Sequence, residues 1–88
     1  MPKYTVADMK IESEVVIKQL VMQHNMDILS ASNLWFNSRT LKEILKAGLV
    51  YASGMRCYWE LMLELNHDDR WMTSPFAYDD FNREIPEL

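Results

Sequence analysis

The stretch from Leu41 to Leu65 constrains the fold most, because apolar or small residues recur in it at steps of three and four. This spacing places them on one side of an α-helix, whose period is about 3.6 residues. The residues on this side are Leu41, Leu45, Gly48, Ala52, Met55, Trp59 and Met62. The pattern predicts one long helix over 39–66, capped by Ser38, or by Thr40 with Glu43, and ended by Asn66. Gly54 lies off this side of the helix and follows Ser53, which leaves open a kink or a break there.

A second long helix is predicted before it, over 6–30. Thr5 and Asp8 have the spacing of a capping box at its start. The run VVIKQLVM then keeps a helical period, although it begins with three β-branched residues. The next segment, SASNLWFNS at 30–38, is rich in turn-forming residues and is predicted to connect the two helices. Within it, Trp35 and Phe36 either cover the end of the helix pair or form an exposed binding tip.

A short third helix is predicted over 75–84. Ser74 and Pro75 have the order of an N-cap followed by a proline in the first helical position, and Pro86 ends the segment. The predicted fold is therefore all-α, with a long antiparallel helical hairpin plus a short C-terminal helix. A single domain is expected to span residues 1–88.

The chain carries more apolar material than such a hairpin can bury. Hydrophobic residues make up 49% of the sequence, yet a chain of this length buries only about 60–65% of its unfolded surface. We therefore expect a homo-oligomer, in which two hairpins pair into a helical bundle. The residues predicted to mediate self-association are Leu45, Gly48, Ala52, Met55, Trp59 and Met62.

Acidic and aromatic residues are concentrated in the last third of the chain. Residues 60–88 hold eight acids and two arginines, a net charge of -6, whereas residues 1–59 hold five acids and seven bases, a net charge of +2. The acidic part argues against non-specific nucleic-acid binding and favours a protein partner with a basic surface. The predicted partner-binding residues are Trp71, Tyr78, Asp79, Asp80 and Glu84. Alternatively, Trp71, Phe76 and Phe81 pack back across the hairpin.

Nothing in the sequence has the spacing of a catalytic, metal or cofactor site. His24, Cys57 and His67 are scattered, and both glycines fall inside a predicted helix rather than a phosphate-binding loop. No enzyme activity, cofactor or metal is therefore expected. The single cysteine, the charged N-terminus and the lack of an apolar span predict a soluble cytoplasmic protein without membrane contact.

One alternative function comes from the run NSRTLKEILKAG. It resembles the recognition-helix stretch of excisionase-type and repressor-type DNA-binding modules, which implies a helix-turn-helix regulator. In it, Arg39, Lys42 and Lys46 share one helix face suited to phosphate contacts. The run departs from that pattern at Phe36, where a turn glycine is expected, and at Asn37, where a buried aliphatic residue is expected.

The favoured hypothesis is a small non-catalytic protein–protein interaction module. Such a module would act as an adaptor, an assembly factor or an inhibitor of a larger machine, through apolar helix faces and the acidic-aromatic C-terminal segment. In its small size and lack of motifs, the chain resembles the accessory proteins that phages encode to bind host or viral machinery.

Overall fold

The protein folds as a set of short helices, and three of the described α-helices begin at a polar capping residue: Asp27, Ser38 and Ser53. The computed structural model describes residues 4–48 and 52–72. In this part of the chain a 3₁₀-helix, Val6–Met9, leads into four α-helices: α1 (Lys10–His24), α2 (Ile28–Phe36), α3 (Arg39–Ala47) and α4 (Gly54–Leu65). The described residues contain no strand. The predicted all-α fold is therefore confirmed.

A single helix over 39–66 is wrong, because α3 ends at Ala47 and α4 begins at Gly54, where the sequence left a break open. Gly48 takes a left-handed conformation with φ of 73° and ends α3, where its backbone N–H donates to the carbonyls of Ile44 and Leu45. Helix α4 is capped by Ser53, whose hydroxyl accepts the backbone N–H of Arg56 at 3.1 Å. A left-handed glycine followed by a serine N-cap is the usual way to end one helix and begin the next.

The predicted helix over 6–30 and the predicted connection over 30–38 are also wrong. The first helix ends at His24, because Asn25 adopts a left-handed conformation with φ of 55°. A new helix starts at once and includes most of the segment that was expected to be a loop. The predicted helix over 75–84 lies outside the described residues.

Helix α1 is the centre of the packing, since it contacts both α2 and α4, while α3 packs on α4. Helices α1, α2 and α3 each bury one side, whereas α4 is buried on all sides from Arg56 to Leu63. The fully buried core includes Val16, Leu20, Trp35, Ile44, Leu61 and Met62. The indole N–H of Trp35 donates to the Ser13 hydroxyl at 2.9 Å, which fixes α2 on α1. At the other contact of α1, Val15 packs directly against Gly54, the first residue of α4.

Candidate interaction surfaces

The start of α2 is defined by its N-cap, Asp27. The Asp27 carboxylate accepts the backbone N–H of Ser30 at 2.7 Å and the Ser30 hydroxyl at 3.1 Å. These hydrogen bonds, the backbone one first, lower the pKa of Asp27 below its ordinary value of 3.8. A charged carboxylate at this position also interacts favourably with the helix dipole. Asp27 thus starts a helix in a segment whose composition is typical of a loop.

Helix α2 exposes three large apolar side chains to solvent, beside the exposed polar residues Ser30 and Asn33. Its inner side buries Ala31 and Trp35. Ile28, Leu29 and Phe36, which we call the α2 face, are 69%, 67% and 42% exposed. Leu29 and Phe36 are seven residues apart, which places them two turns apart on the same side of the helix. None of the nine residues of α2 is charged, so no charge on this helix accompanies the exposed apolar side chains.

The Asp27 cap predicts that the stability of the protein depends on pH. A lowered pKa in the folded state means that the Asp27 carboxylate contributes stability above pH 3.8, and that this contribution is lost as the pH falls through the folded pKa. Asp27→Asn keeps a capping oxygen but cannot be protonated in this range. Thermal melts between about pH 6 and about pH 2 should therefore show a smaller loss of melting temperature in the variant than in the wild type. Equal losses would contradict the assigned role of Asp27.

The residues predicted for self-association do not form one continuous face. Ala52, Trp59 and Met62 are buried within this chain, Leu45 and Gly48 are half-buried, and Met55 is exposed. Gly48 ends α3, so the first two residues lie on a different helix from the last three. The contribution of these residues to self-association stays a prediction.

Of the predicted partner-binding residues, only Trp71 lies in the described part of the chain. Its indole N–H donates to the Thr40 hydroxyl at 2.8 Å, and the Arg39 guanidinium lies 4.8 Å from the centre of its ring. Trp71 is half-buried and is attached to the start of α3. Tyr78, Asp79, Asp80 and Glu84, with Phe76 and Phe81, lie outside the described residues. Their role in partner binding stays a prediction.

The N-terminus of α3, the helix that carries the lysines of the DNA-binding alternative, already holds a carboxylate from α4. Glu64 accepts the backbone N–H of Thr40 at 2.8 Å, the Thr40 hydroxyl at 2.7 Å and the backbone N–H of Arg39 at 3.3 Å. A phosphate would bind through the same N–H groups and would be repelled by Glu64. Lys42 and Lys46 remain exposed on the outer side of α3.

Several acids of the C-terminal third serve the fold itself. Glu60 pairs with Arg56 inside the protein, Glu64 caps α3, and Asp68 pairs with Arg70 at 2.8 Å. The hydrogen bonds and charge of Arg70 lower the pKa of Asp68 to about 2. These three carboxylates already interact within the protein, so they contribute less to the binding of a basic partner.

The one cysteine of the sequence, Cys57, is buried in the core. Burial raises the pKa of the Cys57 thiol to about 12, and the charges of Glu12 and Glu60 add to the effect, so the reactive thiolate does not form at neutral pH. No group of three or more histidine, cysteine or acidic residues within 4–48 and 52–72 is arranged to hold a metal ion. None of the helices in these ranges is long and apolar enough to cross a membrane.

The sequence identified only part of the α2 face, because most of that segment was predicted to be a loop. Of the two residues of the possible binding tip, Phe36 is exposed, whereas Trp35 is buried in the core. A signal was present, since residues 28–36 hold no charge and Leu29 and Phe36 have a seven-residue spacing. No protein-family model, curated protein or solved structure matches this chain. A function must therefore be argued from its own residues.

Proposed function

We propose that this protein is a small non-catalytic protein–protein interaction module that binds its partner through the α2 face. It would act as an adaptor, an assembly factor or an inhibitor of a larger machine. The observation that carries the proposal is an uncharged surface helix with Ile28, Leu29 and Phe36 directed to solvent.

The exposed apolar residues of the α2 face are clustered on one short helix rather than scattered over the surface. Single exposed apolar residues are common on monomeric proteins, but several large ones exposed together on a helix without charged residues are typical of an interaction site. Helix α2 buries its Trp35 side against α1, and its outer side can be buried only by another molecule or another segment. Depletion of charge together with aromatic residues is the composition of an interface core.

The acidic C-terminal third adds a second, electrostatic component to the proposal. Residues 60–88 carry a net charge of -6, and we expect the partner to present basic residues around an apolar centre. The single cysteine, buried and with a raised pKa, fits a cytoplasmic setting. A cofactor has no part in this function.

The test is site-specific photo-crosslinking in cells, followed by a binding measurement with the captured protein. A photo-reactive residue at position 32 or 33, beside the α2 face, should capture one protein, and one at position 46 should not. Leu29→Glu combined with Phe36→Lys should weaken binding of that protein about a hundredfold, since two apolar contacts are replaced by charges. The variant should stay folded, because an acid near the start of a helix and a base near its end both suit the helix dipole.

Lys42→Glu combined with Lys46→Glu is the matched control, and it also tests the DNA-binding alternative. That alternative is favoured by the two-residue turn between α2 and α3 and by the exposed lysines of α3. Under the proposal, the lysine variant keeps the partner, and the wild type does not bind mixed-sequence duplex DNA at physiological salt. Duplex binding that the lysine variant loses would replace the proposal with the DNA-binding alternative.

A further inference from the structure

Helix α1 has a second exposed surface, on the side opposite to the core. Four exposed residues lie on it: Ile11, which is 72% exposed, Glu14, Lys18 and Met22, which is 63% exposed. With about 100° per residue, these four side chains fall within an arc of about 80°, directly opposite the buried Val16 and Leu20. We call these four residues the α1 face. It is separate from the α2 face.

The α1 face is symmetric about its own middle. An apolar residue stands at each end, about 16 Å apart along the axis, and an acid and a base stand between them, about 6 Å apart. If a second copy of the helix is laid against it in the opposite direction, Ile11 faces Met22 of the other copy, and Glu14 faces Lys18. In a parallel arrangement, Glu14 would face Glu14 of the other copy and Lys18 would face Lys18, so that like charges would repel each other. The pattern is therefore complementary to itself only in the antiparallel orientation.

We infer that two copies of this chain associate through antiparallel pairing of their α1 helices about a two-fold axis. Four charges of alternating sign surround the axis, and an Ile11–Met22 contact closes each end of the interface. The occupant of the α1 face is thus a second copy of the chain. This arrangement leaves the α2 face available to a different partner and differs from the predicted self-association through residues 45–62.

The first test exchanges the two charges and measures the mass in solution by analytical ultracentrifugation over a range of concentrations. Glu14→Lys places four bases around the axis, and Lys18→Glu places four acids there. Each single variant should weaken dimerisation at least about tenfold. The double variant Glu14→Lys with Lys18→Glu restores alternating charges and should return the dimerisation constant to near the wild-type value. Leu29→Glu with Phe36→Lys, on the α2 face, should leave it unchanged.

The second test reads the orientation directly with cysteine variants, since the native Cys57 is buried. A mixture of the Ile11→Cys and Met22→Cys proteins should form a covalent heterodimer on mild oxidation. Either variant alone should form little, because antiparallel pairing keeps identical positions about 16 Å apart. Circular dichroism confirms that each variant is folded. A monomeric wild type, a dimer indifferent to the charge changes, or efficient crosslinking of each variant with itself would overturn the inference.

Discussion

Replacing Gly54 with alanine should lower the free energy of unfolding by about 3 kcal/mol, the upper end of the range for overpacking a core. A Cβ atom at this position would clash with the Cβ of Val15 and would lie within 3 Å of both its methyl groups. Val15 is on α1, in the middle of the helix that contacts both α2 and α4. The clash cannot be relieved by a rotamer change, because a Cβ atom is fixed by the backbone. Urea unfolding followed by circular dichroism measures the loss.

Gly48→Ala is the matched control, since it adds the same methyl group but lowers stability for a different physical reason. Gly48 has φ of 73°, and among the described residues a Cβ atom added there would meet only the Tyr4 ring, at 3.3 Å. Alanine at this position therefore mainly incurs the cost of a left-handed residue, about 1–2 kcal/mol. Asn tolerates this conformation better, so Gly48→Asn should lose less than Gly48→Ala, whereas Gly54→Asn should lose at least as much as Gly54→Ala. If Gly54→Ala were no more costly than Gly48→Ala, the tight contact between α1 and α4 would be contradicted.

The two glycines also explain why the sequence predicts the helical class but not the helix boundaries. The apolar spacing continues across the break, so Gly48, Ala52 and Met55 fit one helix as well as two. Whether Gly48 ends a helix depends on its left-handed conformation, which the spacing of side chains does not determine. Ser53 ahead of Gly54 is a local start signal, but a single serine is weak against a long regular pattern.

Helix α2 escaped prediction for a different physical reason. Its serines and asparagine have low helix propensity, and local composition therefore favours a loop. The helix is fixed by contacts made far along the chain, above all the hydrogen bond from Trp35 to Ser13, 22 residues away. Such a tertiary contact overrides local preference. The charge of α3 and its capping residue Ser38 could be predicted, because those properties are local.

Replacing Glu60 with alanine should cost about 3–5 kcal/mol, the usual cost of breaking a buried ion pair. Its carboxylate accepts a hydrogen bond from the Arg56 guanidinium at 3.0 Å, with side chains only 3% and 0% exposed, and also accepts the backbone N–H of Met72 at 3.1 Å. The sequence spacing alone would suggest an ordinary solvent-exposed pair one helical turn apart. Because the pair is buried, Glu60→Ala removes the carboxylate that offsets the desolvation of the guanidinium. Urea unfolding again gives the change in free energy.

A double-mutant cycle separates the ion pair from simple loss of packing. Arg56→Met keeps an apolar side chain near the Trp59 ring, over which the guanidinium lies at 4.2 Å, and Glu60→Leu keeps the volume of the carboxylate side chain. The combined variant should be closer to wild type than either Arg56→Met or Glu60→Leu alone, since no buried charge remains to be compensated. Asp68→Ala is the control for a more accessible pair, with Arg70 49% exposed, and should have a much smaller effect. If the combined variant were as unstable as Glu60→Leu alone, Glu60 would act through the Met72 hydrogen bond rather than through Arg56.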